Sequence, residues 1–144
     1  MIAVSNKTRM GIDERKLKAI AEQVLADEKE KNKEMSVVLV GESRMRLLNK
    51  KYRNKDKPTD VLSFGRTKGV SGFLESELGE IVICPAAIKK NALKYGVSFE
   101  EELVRVLVHG ILHLLGYNHE RREKESAIMR KKENFYLSKY LKNK

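Results

Sequence analysis

Residues 78–116, LGEIVICPAAIKKNALKYGVSFEEELVRVLVHGILHLLG, spell a strand, a helix and a second, strongly apolar helix in direct succession. LGEIVIC at 78–84 is short, apolar and β-branched, as a buried strand is. Pro85 suits the first position of a helix, where a backbone N–H has no intrahelical partner anyway, and Gly96 suits its end. Ser98 and Glu101 have capping-box spacing for the next helix, which runs to about Leu115 and is stopped by Gly116.

Working outward, TDVLSF at 59–64 is a further strand that follows Pro58. The stretch from Gly65 to Glu77, with Gly65, Gly69 and Gly72, reads as a surface loop. Strands 60–64 and 78–84 are joined by that loop and not by a helix, so they are expected to pair antiparallel. Toward the N-terminus, IAVSN at 2–6 is short and β-like. Asp13 can cap a helix over about 14–31, with Leu17, Ile20, Ala21, Val24 and Leu25 at helical spacing. Met35 to Val40 is a strand closed by Gly41. A basic helix is expected over about 43–52, with Met45, Leu48 and Tyr52 inward, and a last helix over about 122–141. The order β-α-β-α-β-β-α-α-α predicts an α+β fold in one domain spanning 1–144, a mixed sheet of about four strands packed with about five helices.

The longest apolar run, near residues 103–117, is interrupted by Arg105, His109 and His113, so no membrane span is expected. MIAVSNKTRM lacks the apolar core of a signal peptide. Cys84 is the only cysteine, which excludes an intrachain disulfide; a cytosolic protein is the simplest expectation. Ending an apolar strand, Cys84 reads as a small buried hydrophobe. Met129, Phe135, Tyr136 and Tyr140 read as core or interface.

All three histidines of the chain fall in HGILHLLGYNH at 109–119. His109 and His113, four apart on an apolar helix, share one face and can take one cation without bending the helix. Gly116 allows a left-handed exit that can bring His119 to the same ion. Three neutral nitrogens and a water would complete a tetrahedral zinc site with one open position. Unrelated buried histidines, or a closed structural site that recruits Cys84, are the alternatives. The spacing matches that of metzincin proteases, whose motif has Glu after the first histidine as general base. Gly110 stands there and cannot accept a proton, which argues against a peptidase.

The chain carries 30 Lys and Arg against 20 Asp and Glu, a formal net charge of +10. That surplus points to a polyanionic partner, nucleic acid first, with a solvated, ion-rich surface as the alternative. Residues 44–57, RMRLLNKKYRNKDK, are nearly one-signed: Arg44, Arg46, Lys50, Lys51, Arg53, Lys55 and Lys57 against Asp56 alone. Such groups neutralise phosphates, and Tyr52 could stack on a base. The C-terminal helix adds a second basic run that includes Arg130, Lys131, Lys132 and Lys139.

YRNKDKPTDVLSF at 52–64, LGEIVIC at 78–84 and HGILHLLGYNH at 109–119 together resemble the YbeY family, single-domain bacterial metal-dependent endoribonucleases of ribosomal RNA maturation. The resemblance covers nearly the whole chain from about residue 35. It implies a zincin-like fold, His109, His113 and His119 as metal ligands, and Arg53 as the catalytic arginine. Two positions depart from the family pattern: Asn118 stands in place of Asp, and Glu80 where Asp is common. Asn118 cannot be a carboxylate partner for a ligand imidazole.

The resulting expectation is a zinc-dependent phosphodiesterase that cuts single-stranded or terminal segments of RNA. Its partners would be small-subunit ribosomal RNA and the ribosome, with no membrane. The metal would acidify a water or polarise a phosphoryl oxygen, and Arg53 would offset charge on the phosphate. Glu80, Asp60 and Glu120 are candidate general bases. A metallopeptidase or amidase, and a non-catalytic RNA-binding assembly factor, are the competing readings.

Overall fold

The computed structural model describes residues 2–65, 76–117 and 123–141, the last segment with its side chains from residue 127 onward. Nine elements follow in the expected order: β1 (Ile2–Asn6), α1 (Glu14–Asp27), β2 (Glu34–Leu39), α2 (Glu42–Arg53), β3 (Val61–Gly65), β4 (Glu77–Ile83), α3 (Pro85–Tyr95), α4 (Phe99–Leu114) and α5 (Glu123–Leu141). The four strands form one mixed sheet in the order β1-β2-β4-β3. β1, β2 and β4 run parallel. β3 lies antiparallel along the edge of β4, from Val61 opposite Ile83 to Gly65 opposite Gly79. The expected antiparallel pair is therefore present, although most of its connecting loop (66–75) lies outside the described residues.

Alternation along the strands decides what covers each face. Met35, Val37, Leu39, Ile81 and Ile83 point to one side and join Leu17, Ile20, Val24 and Leu25 of α1 and the apolar side chains of α4 in the larger core. Val40, Leu62, Val82 and Cys84 point to the other and pack with Met45, half-buried Leu48 and Phe64 under α2. α4 is thus central to one layer and α2 forms the other. Cys84 is fully buried, and burial pushes its thiol above the ordinary value, as a core residue's would be.

The caps read from the sequence are in place. The Asp13 side chain accepts from the Lys16 N–H, and Ser98 from the Glu101 N–H. Gly96 and Gly116 have φ of 68° and 107°, the left-handed geometry that lets the chain leave α3 and α4. The first helix differs from expectation: it ends at Asp27 and does not reach 31. Its apolar spacing stops at Leu25, and Lys29 turns left-handed at φ 63° so that the Glu30 N–H reaches the Leu25 carbonyl. Tyr52, expected inward, is 55% exposed and packs edge to face on Phe64 at 5.0 Å.

Just past α1, the Glu28 carboxylate ties three elements together. It accepts from the Tyr117 hydroxyl at 2.9 Å, from the Lys132 ammonium at 3.0 Å and from the Tyr136 hydroxyl. Burial alone would raise this carboxyl. The three donors outweigh it and hold the group below its ordinary 4.5. A depressed folded value adds stability that is present above 4.5 and is lost as pH falls through the folded value. Glu28→Gln should therefore cost about 2 kcal/mol at neutral pH, in line with hydrogen bonds to a charged group, and should blunt the acid limb of the stability profile. Urea unfolding at pH 7 and pH 4 reads both; equal loss at the two pH values would mean that the charge does not matter.

Candidate metal centre and basic surface

α4 is apolar almost all round, and the structure buries it almost all round. Leu103, Val104, Val106, Leu107, Val108, Gly110, Ile111 and Leu112 are all buried. It packs against α1, α3, α5, β3 and β4. One seam stays open, at Glu101, Arg105, His109 and His113, each four residues after the last. Steps of four drift little around a helix, so these side chains form a row along one edge. His109 is half-buried in that row and His113 is exposed. The two histidines thus share a face, at a place open to solvent.

His109 does not stand alone there. Its Nδ1 lies 3.0 Å from Oε2 of Glu133, on α5. The Glu133 side chain is only 11% exposed and that of His109 29%. A hydrogen bond at Nδ1 to a carboxylate places the ring proton on Nδ1 and the lone pair on Nε2, the arrangement usual for a metal-ligating imidazole. The donor set therefore fits a cation taken by Nε2 of His109 together with His113. His119, the third expected ligand, lies outside the described residues, as do Asn118 and Glu120. Among the described residues alone, no three His, Cys, Asp or Glu side chains form a metal-sized cluster.

Gly110 explains the missing peptidase base in physical terms. A Cβ at this position would lie 3.1 Å from Cδ1 of Ile81, 3.2 Å from its Cγ2 and 3.3 Å from Oγ of Ser63. The residue after the first histidine therefore faces the sheet and not the open seam. A glutamate there would be buried between helix and strand.

Other acidic candidates are distributed differently. Glu80 lines a groove on the α2 side with Val38, Val82 and Phe64, across the sheet from Gly110. Asp60 faces Asn91 of α3, 3.4 Å away. Neither is brought beside His109 by a hydrogen bond among the described residues. A buried carboxylate that sequence reasoning missed, Glu102, lies two turns before His109 on α4. Burial raises it above the ordinary range, against the pull of Arg105 3.8 Å away.

The basic segment is on the surface as expected. Arg44, Arg46, Lys50, Lys51, Arg53, Lys55 and Lys57 are all exposed. Arg46 and Asp56 pair through two hydrogen bonds, at 2.8 and 3.2 Å, so the one acid of the segment is spent locally. Lys51 lies over the Tyr52 ring at 5.2 Å. Arg53 is the last residue of α2 and is exposed. The C-terminal run is less available than its sequence suggests, because Lys132 is held by Glu28 and Lys139 by Asp27.

This mixed α/β fold combines an open histidine pair on a buried helix with a nearly one-signed basic helix, a surface suited to a polyanion. Comparison with known proteins makes this specific. The family model described as "Endoribonuclease YbeY" matches residues 2–141, and the chain belongs to that family. A relative named Endoribonuclease YbeY from Sulfurihydrogenibium sp. (strain YO3AOP1) is 44% identical over 113 residues, covering 78% of this chain and 74% of the relative. Another of that name from Aquifex aeolicus (strain VF5) is 46% identical over 108 residues, covering 75% and 71%. The solution structure of TM1509 from Thermotoga maritima superposes with a TM-score of 0.66 at 34% identity, over 97% of this chain and 89% of the other.

The close approach at Gly110 carries a prediction. Gly110→Glu should destabilise the fold by about 3 kcal/mol or more, through overpacking and a buried charge, and should not create peptidase activity. A variant that folds with wild-type stability would place residue 110 in the open seam and contradict the packing described.

Proposed function

We propose that this family member is a metal-dependent endoribonuclease in which His109, His113 and His119 hold one zinc ion and Arg53 is the catalytic arginine. The observation that carries the reading is the open seam of α4, where an imidazole already fixed at Nδ1 by a carboxylate lies beside a second histidine one turn on. When bound, the ion supplies Lewis acidity toward a phosphodiester and toward water.

The protein's own groups do the rest. The exposed cations of 44–57 attract the RNA backbone with salt-sensitive, sequence-blind affinity. Arg53, whose guanidinium makes no hydrogen bond or ion pair among the described residues, can grip a phosphate through two parallel N–H donors and offset charge that develops on its oxygens. Tyr52, braced by Phe64, offers a face on which a base can stack. The substrate class is single-stranded or terminal ribosomal RNA, from the small subunit in particular, and the setting is the cytoplasm, with the chain working as one domain over 1–144. Among the described residues no helix is long and apolar enough to cross a membrane.

A metallopeptidase reading has the burial of Gly110 against it, since no base can be placed where that chemistry needs one. An assembly factor whose metal only braces the fold has the exposure of His113 against it, since a bracing site is closed by protein on all sides.

Arg53→Ala should keep its fold and its zinc but lose turnover by roughly 100-fold or more, the scale for removing one donor to a developing charge. Arg53→Lys should recover little, because a point charge cannot reproduce the fork. Single-turnover cleavage of a ribosomal RNA fragment, with zinc content measured on the same samples, reads this. Full cleavage by zinc-loaded Arg53→Ala would remove Arg53 from the mechanism.

A further inference from the structure

Glu133 is the residue of this site that no motif announces. It lies in the middle of α5, 24 positions after His109, and presents a nearly buried carboxylate to that histidine's Nδ1 at 3.0 Å. Met129 one turn before it is fully buried, and so is Tyr136 on the following turn, so the side chain sits on the core-facing side of its helix. An acid in such a position costs free energy unless a donor compensates it, and replacing it by an apolar side chain would often stabilise the fold. Its one hydrogen bond among the described residues goes to the imidazole. The carboxylate is therefore placed to act on His109.

We infer that Glu133 is a positioning residue for the metal: by accepting the Nδ1 proton it sets the tautomer and ring orientation of His109, and its charge makes Nε2 a stronger donor to the cation. It touches neither substrate nor reacting atoms. Asn118, just before His119, cannot serve as a carboxylate partner, and α5 supplies such a partner for His109 from a distance in sequence. A consequence is that α5 belongs to the metal centre and is more than a cover for the core. The inference rests on the assignment of His109 as a ligand, and its test separates the two.

The test uses the full-length protein and zinc alone, without RNA. Zinc affinity is measured by competition with a chromophoric chelator for wild type, Glu133→Met, Glu133→Gln and His109→Ala. The imidazole nitrogens of metal-free wild type and Glu133→Gln are read by 15N NMR at a pH where the rings are neutral. Glu133→Met should bind zinc about 10- to 100-fold more weakly, while Glu133→Gln, whose amide oxygen still accepts the proton but carries no charge, should recover only part of the loss. His109 in the wild type and in Glu133→Gln should carry its proton on Nδ1. Wild-type affinity in Glu133→Met, or an Nε2-protonated His109 in the metal-free wild type, overturns the role given to Glu133. If Glu133→Met fails to fold, the tautomer in wild type and in Glu133→Gln decides the matter unaided. Unchanged zinc binding in His109→Ala would instead overturn the ligand assignment beneath it.

Discussion

Burial of α4 is the constraint on which the other features depend. Its sixteen residues are enclosed by the sheet below and by α1, α3 and α5 around it. Each fully buried Leu, Ile or Val side chain contributes about 1.5–3 kcal/mol, so this one helix anchors α1, α3, α5, β3 and β4. Close packing leaves little choice of residue at its inner faces, and at Gly110 a Cβ would crowd Ile81 and Ser63 of the sheet. Only the row through Arg105, His109 and His113 escapes. Two imidazoles are thereby held on a helix packed on most of its surface, yet they remain accessible from solvent.

Hydrogen bonds link the groups around this seam. Glu133 reaches His109 from α5, and Glu28 reaches α5 through Lys132 and Tyr136. The same Glu28 carboxylate takes the hydroxyl of Tyr117, two residues before His119. One acid after α1 thus fixes both the helix that orients the first histidine and the chain leading to the last. Glu28 caps the end of α1, its N–H still reaching the Val24 carbonyl, and its carboxylate meets all three donors there.

Most of the architecture was legible from local signals, because strands, caps and glycine stops are local physics. Pro85, Gly96, Ser98 and Gly116 each did what their chemistry requires. The histidine pair was legible because four-residue spacing on an apolar helix has one geometric meaning. Glu133 was not, since periodicity tells which face of a helix is buried and says nothing of which residue of another helix it meets. Alternation puts Glu80 on the opposite face from Ile81, and only the packing of α4 on the Ile81 side shows that Glu80 lies on the α2 side of the sheet, in the groove beside Tyr52 and Phe64. Lys132 and Lys139 looked like part of an RNA surface and are held by acids 104 and 112 positions away in the chain. Tyr52, counted as core by spacing, ends up exposed because α2 covers the sheet only as far as Met45 and Leu48 reach.

The central claim is that an open imidazole site forms on the exposed seam of α4, and zinc K-edge X-ray absorption of the zinc-loaded protein tests it most directly. The account predicts a first shell of nitrogen and oxygen donors at roughly 2.0–2.1 Å, with the multiple-scattering pattern of imidazole rings and no sulfur. A sulfur scatterer near ~2.3 Å would mean that buried Cys84 is drawn into a closed structural site, and would contradict the account.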